Sequence, residues 1–141
     1  MKKMLIIEDD QIVGTIYRHK CQVEGVQVEI AGDGEAGWNA IQSFRPDIVI
    51  LDLMLPKLNG VEILKRVRNH PEFKDLPVIV LSAAYLNTLV QDAWNAGANH
   101  CLIKANCPPK QLVDLVRKTL GTGDTEIRTL KPGTTPATPA T

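Results

Sequence analysis

Short apolar runs alternate with longer amphipathic stretches along most of this chain, and no other feature constrains its fold more. The apolar runs are rich in Val, Ile and Leu, which is typical of strands that are covered on both faces. They lie at residues 4–7, 26–31, 48–51, 78–81 and 101–103. Between them, apolar residues recur at helical spacing, as Val13, Ile16 and Tyr17 do in the first helix. We therefore predict five strand–helix units.

This alternation predicts an α/β fold with a doubly wound parallel sheet, because right-handed crossovers place successive helices on both faces of the sheet. Turn residues agree with the division into units. Gly25 follows the first helix, Pro46 and Pro77 precede the third and fourth strands, and Pro108-Pro109 can open the last helix. The second and fourth helices, around residues 35–42 and 87–97, have weaker apolar stripes.

The composition favours a single folded domain without a charged surface for nucleic acid or membrane. The chain has 141 residues, 44% of them hydrophobic, with 16 basic residues against 16 acidic ones. Three cysteines without a CxxC spacing argue against a disulfide framework and a zinc site. The first apolar run stops at Ile7 before three acidic residues, so we expect no signal peptide or membrane span. A cytoplasmic location fits best.

The composition changes after Leu120. Residues 121–141 are dominated by Thr, Gly and Pro, and they have too few apolar side chains to build a core. We expect a folded domain over residues 1–120, followed by a flexible tail or interdomain linker over residues 121–141. The tail contains no helix-turn-helix pattern and few basic residues, so we expect no direct contact with nucleic acid.

Polar residues stand at the ends of four predicted strands. Glu8 and Asp9 follow the first strand, Asp52 the third, Ser82 the fourth and Lys104 the fifth. Sheets of this type bind ligands beyond the carboxyl ends of their strands. Three carboxylates cannot converge there without a cation to offset their repulsion, and hard oxygen ligands favour Mg²⁺.

An aspartate beside Mg²⁺ can act as a nucleophile that accepts a phosphoryl group. Asp52 is the candidate for that role, because Ser82 could donate a hydrogen bond to one phosphoryl oxygen and Lys104 could pair with another. These three residues form the predicted catalytic set, and no organic cofactor is expected.

Four motifs at these strand ends resemble the receiver domain of two-component response regulators. They are "IIEDD", "LDLMLPKLNG", "VLSA" and "CLIK", and the likeness covers roughly residues 3–120. The resemblance implies a flavodoxin-like (βα)5 fold with strand order 2-1-3-4-5. It implies a signalling phosphoacceptor and not an enzyme, with no chemistry beyond its own phosphorylation and dephosphorylation.

The resemblance also implies roles for individual residues. Glu8 and Asp9 would form the acidic pair, and Mg²⁺ would be bound by Asp9, Asp52 and the backbone carbonyl of Met54. Asp52 would accept phosphate from a histidine kinase or a histidine phosphotransfer protein. Ser82 and Lys104 would be the conformational switch residues. An output partner would bind the face formed by the fourth helix, the fifth strand and the fifth helix.

Two positions depart from the family pattern. Ala105 stands where receivers carry a proline after the lysine in a cis peptide bond, and a cis Lys104–Ala105 bond would cost about 2.5–4 kcal/mol. Cys101 stands where many receivers have an aromatic switch residue. These departures favour an alternative, a pseudo-receiver that binds a protein partner independently of phosphorylation.

Each candidate residue also has a purely structural interpretation. Asp52 and Ser82 could be turn or cap residues, Asp10 a helix N-cap, and Lys104 a solvated surface lysine. The cysteines are expected to be small packing residues, and Trp94 a half-buried helix residue near the fifth strand. A haloacid-dehalogenase-type phosphatase is disfavoured, because its second acid would fall at Met54.

Overall fold

The computed structural model describes residues 2–23, 25–55, 57–82, 87–104 and 108–120. These residues form five parallel strands in the order β2-β1-β3-β4-β5, with a helix after each strand. The predicted doubly wound, flavodoxin-like topology with strand order 2-1-3-4-5 is therefore confirmed.

The strands are short and lie close to their predicted positions. They are β1 (Lys3–Ile7), β2 (Gln27–Ala31), β3 (Ile48–Asp52), β4 (Val78–Ser82) and β5 (His100–Ile103). The helices are α1 (Gln11–Val23), α2 (Gly34–Phe44), α3 (Gly60–Asn69), α4 (Asn87–Asn95) and α5 (Pro109–Thr119). The second and fourth helices are both present despite their weaker apolar stripes.

The sheet separates two apolar cores, because successive side chains of a strand point to opposite faces. On β1, Leu5 and Ile7 pack against α2, α3 and α4, whereas Met4 and Ile6 pack against α1 and α5. All four side chains are fully buried. Burial on both faces explains why the strands read as continuous apolar runs and not as alternating ones.

Local signals in the sequence set the helix ends. Asp33 caps α2 by accepting a hydrogen bond from the Ala36 amide at 2.8 Å, and Asn59 caps α3 by accepting one from the Glu62 amide at 3.0 Å. Pro109 occupies the first position of α5, as predicted. Gly25 follows α1 with a positive φ of 86°, a conformation that glycine adopts without steric cost.

The first helix is present where the apolar spacing predicts it, but not all the residues that carry this spacing are buried. The helix was inferred from Val13, Ile16 and Tyr17, yet Ile16 is 49% exposed and Val13 is only partly buried. The face that α1 buries consists of Gly14, Tyr17 and Cys21. Ile16 instead lies on a solvent-facing side of the helix.

The cysteines and tryptophans that the structure describes are packing residues, as expected. Cys21 and Cys101 are buried free thiols, and burial raises the pKa of Cys21 to about 11 and that of Cys101 to about 12. Trp38 and Trp94 are half-buried against the core on the α2–α4 side. Cys107, Ala105 and residues 121–141 lie outside the described residues, so the expectations for the tail and for the Lys104–Ala105 bond stay predictions.

Arg68, near the end of α3, binds the backbone at the opposite end of the sheet from Asp52. Its guanidinium donates hydrogen bonds to the Gly97 carbonyl at 2.7 Å, to the Leu76 carbonyl at 2.7 Å and to Asn99 Oδ1 at 2.9 Å. Asn99 Oδ1 also accepts a hydrogen bond from the Val78 amide at 2.8 Å. One side chain thus joins the end of α3 to the segments that precede β4 and β5.

Among the helices of the described ranges, none combines the length and the apolar character that crossing a membrane requires.

Replacement of Arg68 by Met should destabilise the fold by about 2–4 kcal/mol, because several carbonyl acceptors lose their hydrogen-bond donor. Methionine keeps most of the apolar stem, so the change isolates the loss of the guanidinium. The free energy of unfolding from urea titration measures this change. The matched control is Arg66→Met on the exposed side of the same helix, which should stay within about 0.5 kcal/mol of wild type. Equal stabilities for the two variants would contradict the assigned role of Arg68.

Candidate functional site

The register of the sheet brings the acidic residues together. Ile7 of β1 pairs with Leu51 of β3. Glu8 follows Ile7 and Asp52 follows Leu51, so the two acids lie side by side. Asp9 extends the group, and ligand oxygens of Glu8, Asp9 and Asp52 all lie within 4.8 Å of one another. The predicted convergence of these three carboxylates is therefore present in the structure.

Lys104 reaches into this acidic group from the end of β5. Its Nζ lies 2.6 Å from Glu8 Oε1 and donates a hydrogen bond of 3.0 Å to Asp52 Oδ2. The long side chain spans β4 to do so, since β4 separates β5 from β3 in the sheet. The alternative interpretation of Lys104 as a solvated surface lysine is wrong, because its ammonium is a member of the cluster.

The three acids differ in their exposure. Glu8 and Asp52 are each only 3% exposed, whereas Asp9 is open to solvent. Burial raises the pKa of Glu8 to about 7, and the nearby charge of Asp52 adds to that effect while Lys104 opposes it. Burial lowers the pKa of Lys104, but its hydrogen bonds to Glu8 and Asp52 outweigh burial and raise that pKa above its usual value. Lys104 therefore stays charged at neutral pH.

Backbone amides fix the orientation of the two buried carboxylates. The Asp10 amide donates to Glu8 Oε2 at 3.2 Å, and the Met54 amide donates to Asp52 Oδ1 at 3.1 Å. In each of the two buried carboxylates, one oxygen thus contacts the Lys104 ammonium. The other oxygen accepts a hydrogen bond from a backbone amide just beyond the strand. This division holds both carboxylates in a single arrangement.

Asp10 has a structural function. Its Oδ1 accepts hydrogen bonds from the amides of Ile12 at 3.0 Å and Val13 at 3.2 Å, which is the pattern of an N-cap for α1. The helix-cap interpretation of Asp10 is therefore confirmed, and Asp10 is separate from the cluster of three acids.

The other predicted site residues lie at the same edge of the sheet. Ser82 ends β4 and is 1% exposed, and its register partner on β5 is Ile103, the residue before Lys104. Met54 lies in the loop after β3 with a 55% exposed side chain, so any structural role within the site falls to its backbone.

The donor set fits a hard divalent cation. Three carboxylates and one ammonium leave two negative charges uncompensated when all four groups are ionised. A divalent ion would cancel that remainder, and Mg²⁺ takes oxygen ligands from one or two carboxylates while it keeps several waters. The exposed position of Asp9 leaves a route for the ion and for those waters.

Sequence reasoning missed two features that border the site. They are the solvent exposure of several apolar residues of α1 and the close approach of the Gly34 backbone to Leu58. Helical spacing identifies an apolar face without saying whether that face meets the core or a partner. Tight backbone packing at a glycine leaves no periodic signal at all.

The raised pKa of Glu8 predicts how stability depends on pH in the absence of metal. A carboxyl whose pKa is higher in the folded than in the unfolded chain stabilises the fold below its unfolded value of 4.5 and loses that contribution as the pH rises through about 7. The free energy of unfolding of the wild type in EDTA should therefore fall by roughly 2 kcal/mol between about pH 5 and pH 8, relative to a Glu8→Gln variant. Parallel profiles for the two proteins would contradict this assignment.

Comparison with known proteins identifies the family. A sequence model of the response regulator receiver domain matches residues 4–117, which is most of the chain. The chain belongs to the response regulator receiver domain family. Domains of this family are signalling domains that generally bind Mg²⁺ at an acidic pocket and have histidine kinases as partners.

Individual relatives agree with this assignment. The DNA-binding response regulator MtrA of Mycolicibacterium paratuberculosis is 30% identical over 125 residues, which cover 89% of this chain and 54% of that protein. The response regulator MprA of Mycolicibacterium vanbaalenii is 38% identical over 81 residues, or 57% of this chain and 34% of that protein. The chain thus spans between a third and about half of the length of these curated relatives.

A solved structure shows the same architecture. The chemotaxis response regulator CheY4 of Vibrio cholerae superimposes with a TM-score of 0.77 at 28% identity, over 84% of this chain and 98% of that one.

Proposed function

We propose that this chain is a phosphoacceptor receiver, in which Asp52 accepts a phosphoryl group in a Mg²⁺-dependent reaction and the domain then changes conformation to control an output partner. One observation carries the proposal: at the carboxyl end of the sheet, the buried Asp52 carboxylate lies beside Glu8 and Asp9 and accepts a hydrogen bond from the Lys104 ammonium. Family membership supports it independently.

The residues that would hold Mg²⁺ are Asp9, Asp52 and the Met54 carbonyl, with Glu8 as the second member of the acidic pair. When bound, Mg²⁺ would supply positive charge for the phosphoryl oxygens. Because Glu8 has a pKa of about 7 in the metal-free protein, metal binding would displace its proton and affinity would rise with pH through that range.

In the proposed transfer, a carboxylate oxygen of Asp52 attacks the phosphorus of a phosphohistidine. The new P–O bond forms as the P–N bond breaks, and the electron pair of the broken bond stays with the imidazole nitrogen that leaves. The product is an acyl phosphate on Asp52. Burial of the Asp52 carboxylate limits the access of competing water and keeps the nucleophile in one orientation.

Lys104 and Ser82 would respond to the new group. Lys104 already contacts Asp52, and its ammonium can exchange that carboxylate for a phosphoryl oxygen without leaving the site. Ser82 lies on the strand next to β3 and has a hydroxyl that can donate to another phosphoryl oxygen. The exchange of partners at these two strand ends would begin the conformational change.

The exposed apolar residues of α1 support docking of a phosphodonor protein on this helix. Ile12 is 72% exposed, Ile16 is 49% exposed and Val23 is 67% exposed, and their spacing places them on one face of the helix. Contiguous exposed apolar residues mark interaction surfaces. Because α1 begins directly after the acidic cluster, a histidine kinase or phosphotransfer protein on this face would bring its phosphohistidine near Asp52.

We place the output surface on the face formed by α4, β5 and α5, since Lys104 directly follows β5 and Ser82 ends the strand before α4. Residues 1–120 would act as the receiver and residues 121–141 as a tail or interdomain linker. The balanced charge of the chain favours a protein partner over nucleic acid or membrane. We further propose a cytoplasmic location and no activity beyond self-phosphorylation and self-dephosphorylation.

Replacement of Asp52 by Asn should abolish labelling by acetyl phosphate in the presence of Mg²⁺, because the amide cannot form an acyl phosphate. The mass of the intact protein reports the label, and the free energy of unfolding checks the fold. Asp92→Asn, on the exposed surface of α4, is the matched control and should be labelled like wild type.

Persistent labelling of the Asp52→Asn variant would place the acceptor elsewhere. Absence of label from the wild type with both acetyl phosphate and a phosphorylated histidine kinase would favour the pseudo-receiver, in which partners bind independently of phosphorylation.

Replacement of Asp9 by Ala should weaken Mg²⁺ binding at least about tenfold, since it removes a proposed ligand. Isothermal titration calorimetry measures the dissociation constant. Asp10→Asn is the matched control, because asparagine keeps the N-cap of α1 while a neighbouring negative charge is lost. Equal losses in the two variants would show that general electrostatics, and not ligation by Asp9, governs affinity.

A further inference from the structure

The loop that follows Asp52 is in tight steric contact with the first turn of α2. A Cβ atom placed on Gly34 would lie 1.8 Å from the Leu58 carbonyl oxygen and 2.5 Å from the Leu58 Cβ. Real Cβ atoms essentially never approach other heavy atoms closer than 3.0 Å. The backbone at the start of α2 therefore touches the loop directly and leaves no room for a methyl group.

The same loop is held at its other end by α3. A Cβ on Gly60 would lie 2.7 Å from the Asp52 carbonyl oxygen, and the Gly60 amide donates to the Leu53 carbonyl at 3.1 Å. Two described residues of this loop, Leu58 and Leu53, thus make close backbone contacts with α2 and α3 respectively.

An ion pair adds little to this contact. Lys57 Nζ lies 3.7 Å from Asp33 Oδ2, but the Lys57 side chain is 61% exposed, and pairs in that environment are weak. Lys57 also has a positive φ of 69°, which is unfavourable for a residue with a Cβ. At Leu58, the residue that follows Lys57, the loop is confined by its close approach to the Gly34 backbone.

The position of this loop determines the geometry of the site. The Met54 amide orients Asp52 through the 3.1 Å hydrogen bond to Oδ1, and the Met54 carbonyl is the proposed backbone ligand of the metal. A shift of the loop would move both groups together. It would leave Glu8 and Asp9 in place, since they follow β1.

We infer that Gly34 is a positioning residue for the metal site: its missing side chain lets α2 hold the loop that orients Asp52 and presents the Met54 carbonyl. The inference rests on the proposed Mg²⁺ site. It concerns a residue that is not itself a proposed metal ligand, and it acts through Leu58.

The test is the Mg²⁺ dissociation constant of a Gly34→Ala variant, measured by calorimetry together with its thermal unfolding. Affinity should fall about ten- to hundredfold, the usual effect of losing a group that supports a metal ligand. Gly32→Ala is the matched control, because a Cβ there meets nothing within 4 Å. It should bind Mg²⁺ within about twofold of wild type.

A second control separates positioning from general loss of stability. Ile41→Val trims a fully buried core residue further along α2 and adds no atom at the contact between Gly34 and Leu58. It should lower the unfolding temperature while leaving Mg²⁺ affinity unchanged. If Gly34→Ala keeps wild-type affinity, or loses no more than an equally destabilised Ile41→Val, the role of Gly34 is overturned.

A third pair of variants gives a result even where Gly34→Ala fails to fold. Asp33→Ala removes the acceptor that caps α2 and should weaken Mg²⁺ binding several-fold, whereas Asp33→Asn keeps a capping oxygen and should restore it. Wild-type affinity in Asp33→Ala would overturn the inference. If the wild type itself binds no Mg²⁺, both the proposed function and the role of Gly34 are overturned. If the wild type and Gly34→Ala bind Mg²⁺ equally well, only the role of Gly34 is overturned.

Discussion

Glu8, Asp9 and Asp52 repel one another at one edge of the sheet, and the fold holds them there because Lys104 offsets part of their charge. Without that ammonium, two carboxylates that are each 3% exposed would have no cationic partner among the described residues. Even with it, Glu8 keeps a pKa of about 7. Like charges therefore repel one another in the metal-free site, and a bound cation would reduce that repulsion.

The sheet resists this repulsion because its strands are buried on both sides. The residues just before the acids, such as Ile7 and Leu51, are fully buried in the core on the α2–α4 side. Moving a strand end to separate the charges would disturb that packing. A close-packed interior tolerates such shifts poorly, so the backbone stays in place, and burial together with the nearby Asp52 raises the pKa of Glu8.

Much of this organisation could be predicted from the sequence. Apolar runs fixed the strands to within about one residue, and the parallel topology then required Glu8, Asp52 and Lys104 to converge. Two things could not be predicted. The solvent-facing side of Ile16 depends on how α1 rotates against the sheet, and the contact between Gly34 and Leu58 depends on the distance between two backbones. Neither quantity is encoded in residue type or spacing.

Arg68 has a consequence for how α4 can move. It grips Gly97 and Asn99, just beyond the end of α4 that lies furthest from Asp52, while the other end of the helix follows the strand that carries Ser82. Because these hydrogen bonds hold the segment that follows α4, this end of the helix can move less than the other end. A displacement that starts near Ser82 would therefore tilt α4 about the end that Arg68 holds. A change at Arg68 would alter the direction of that tilt.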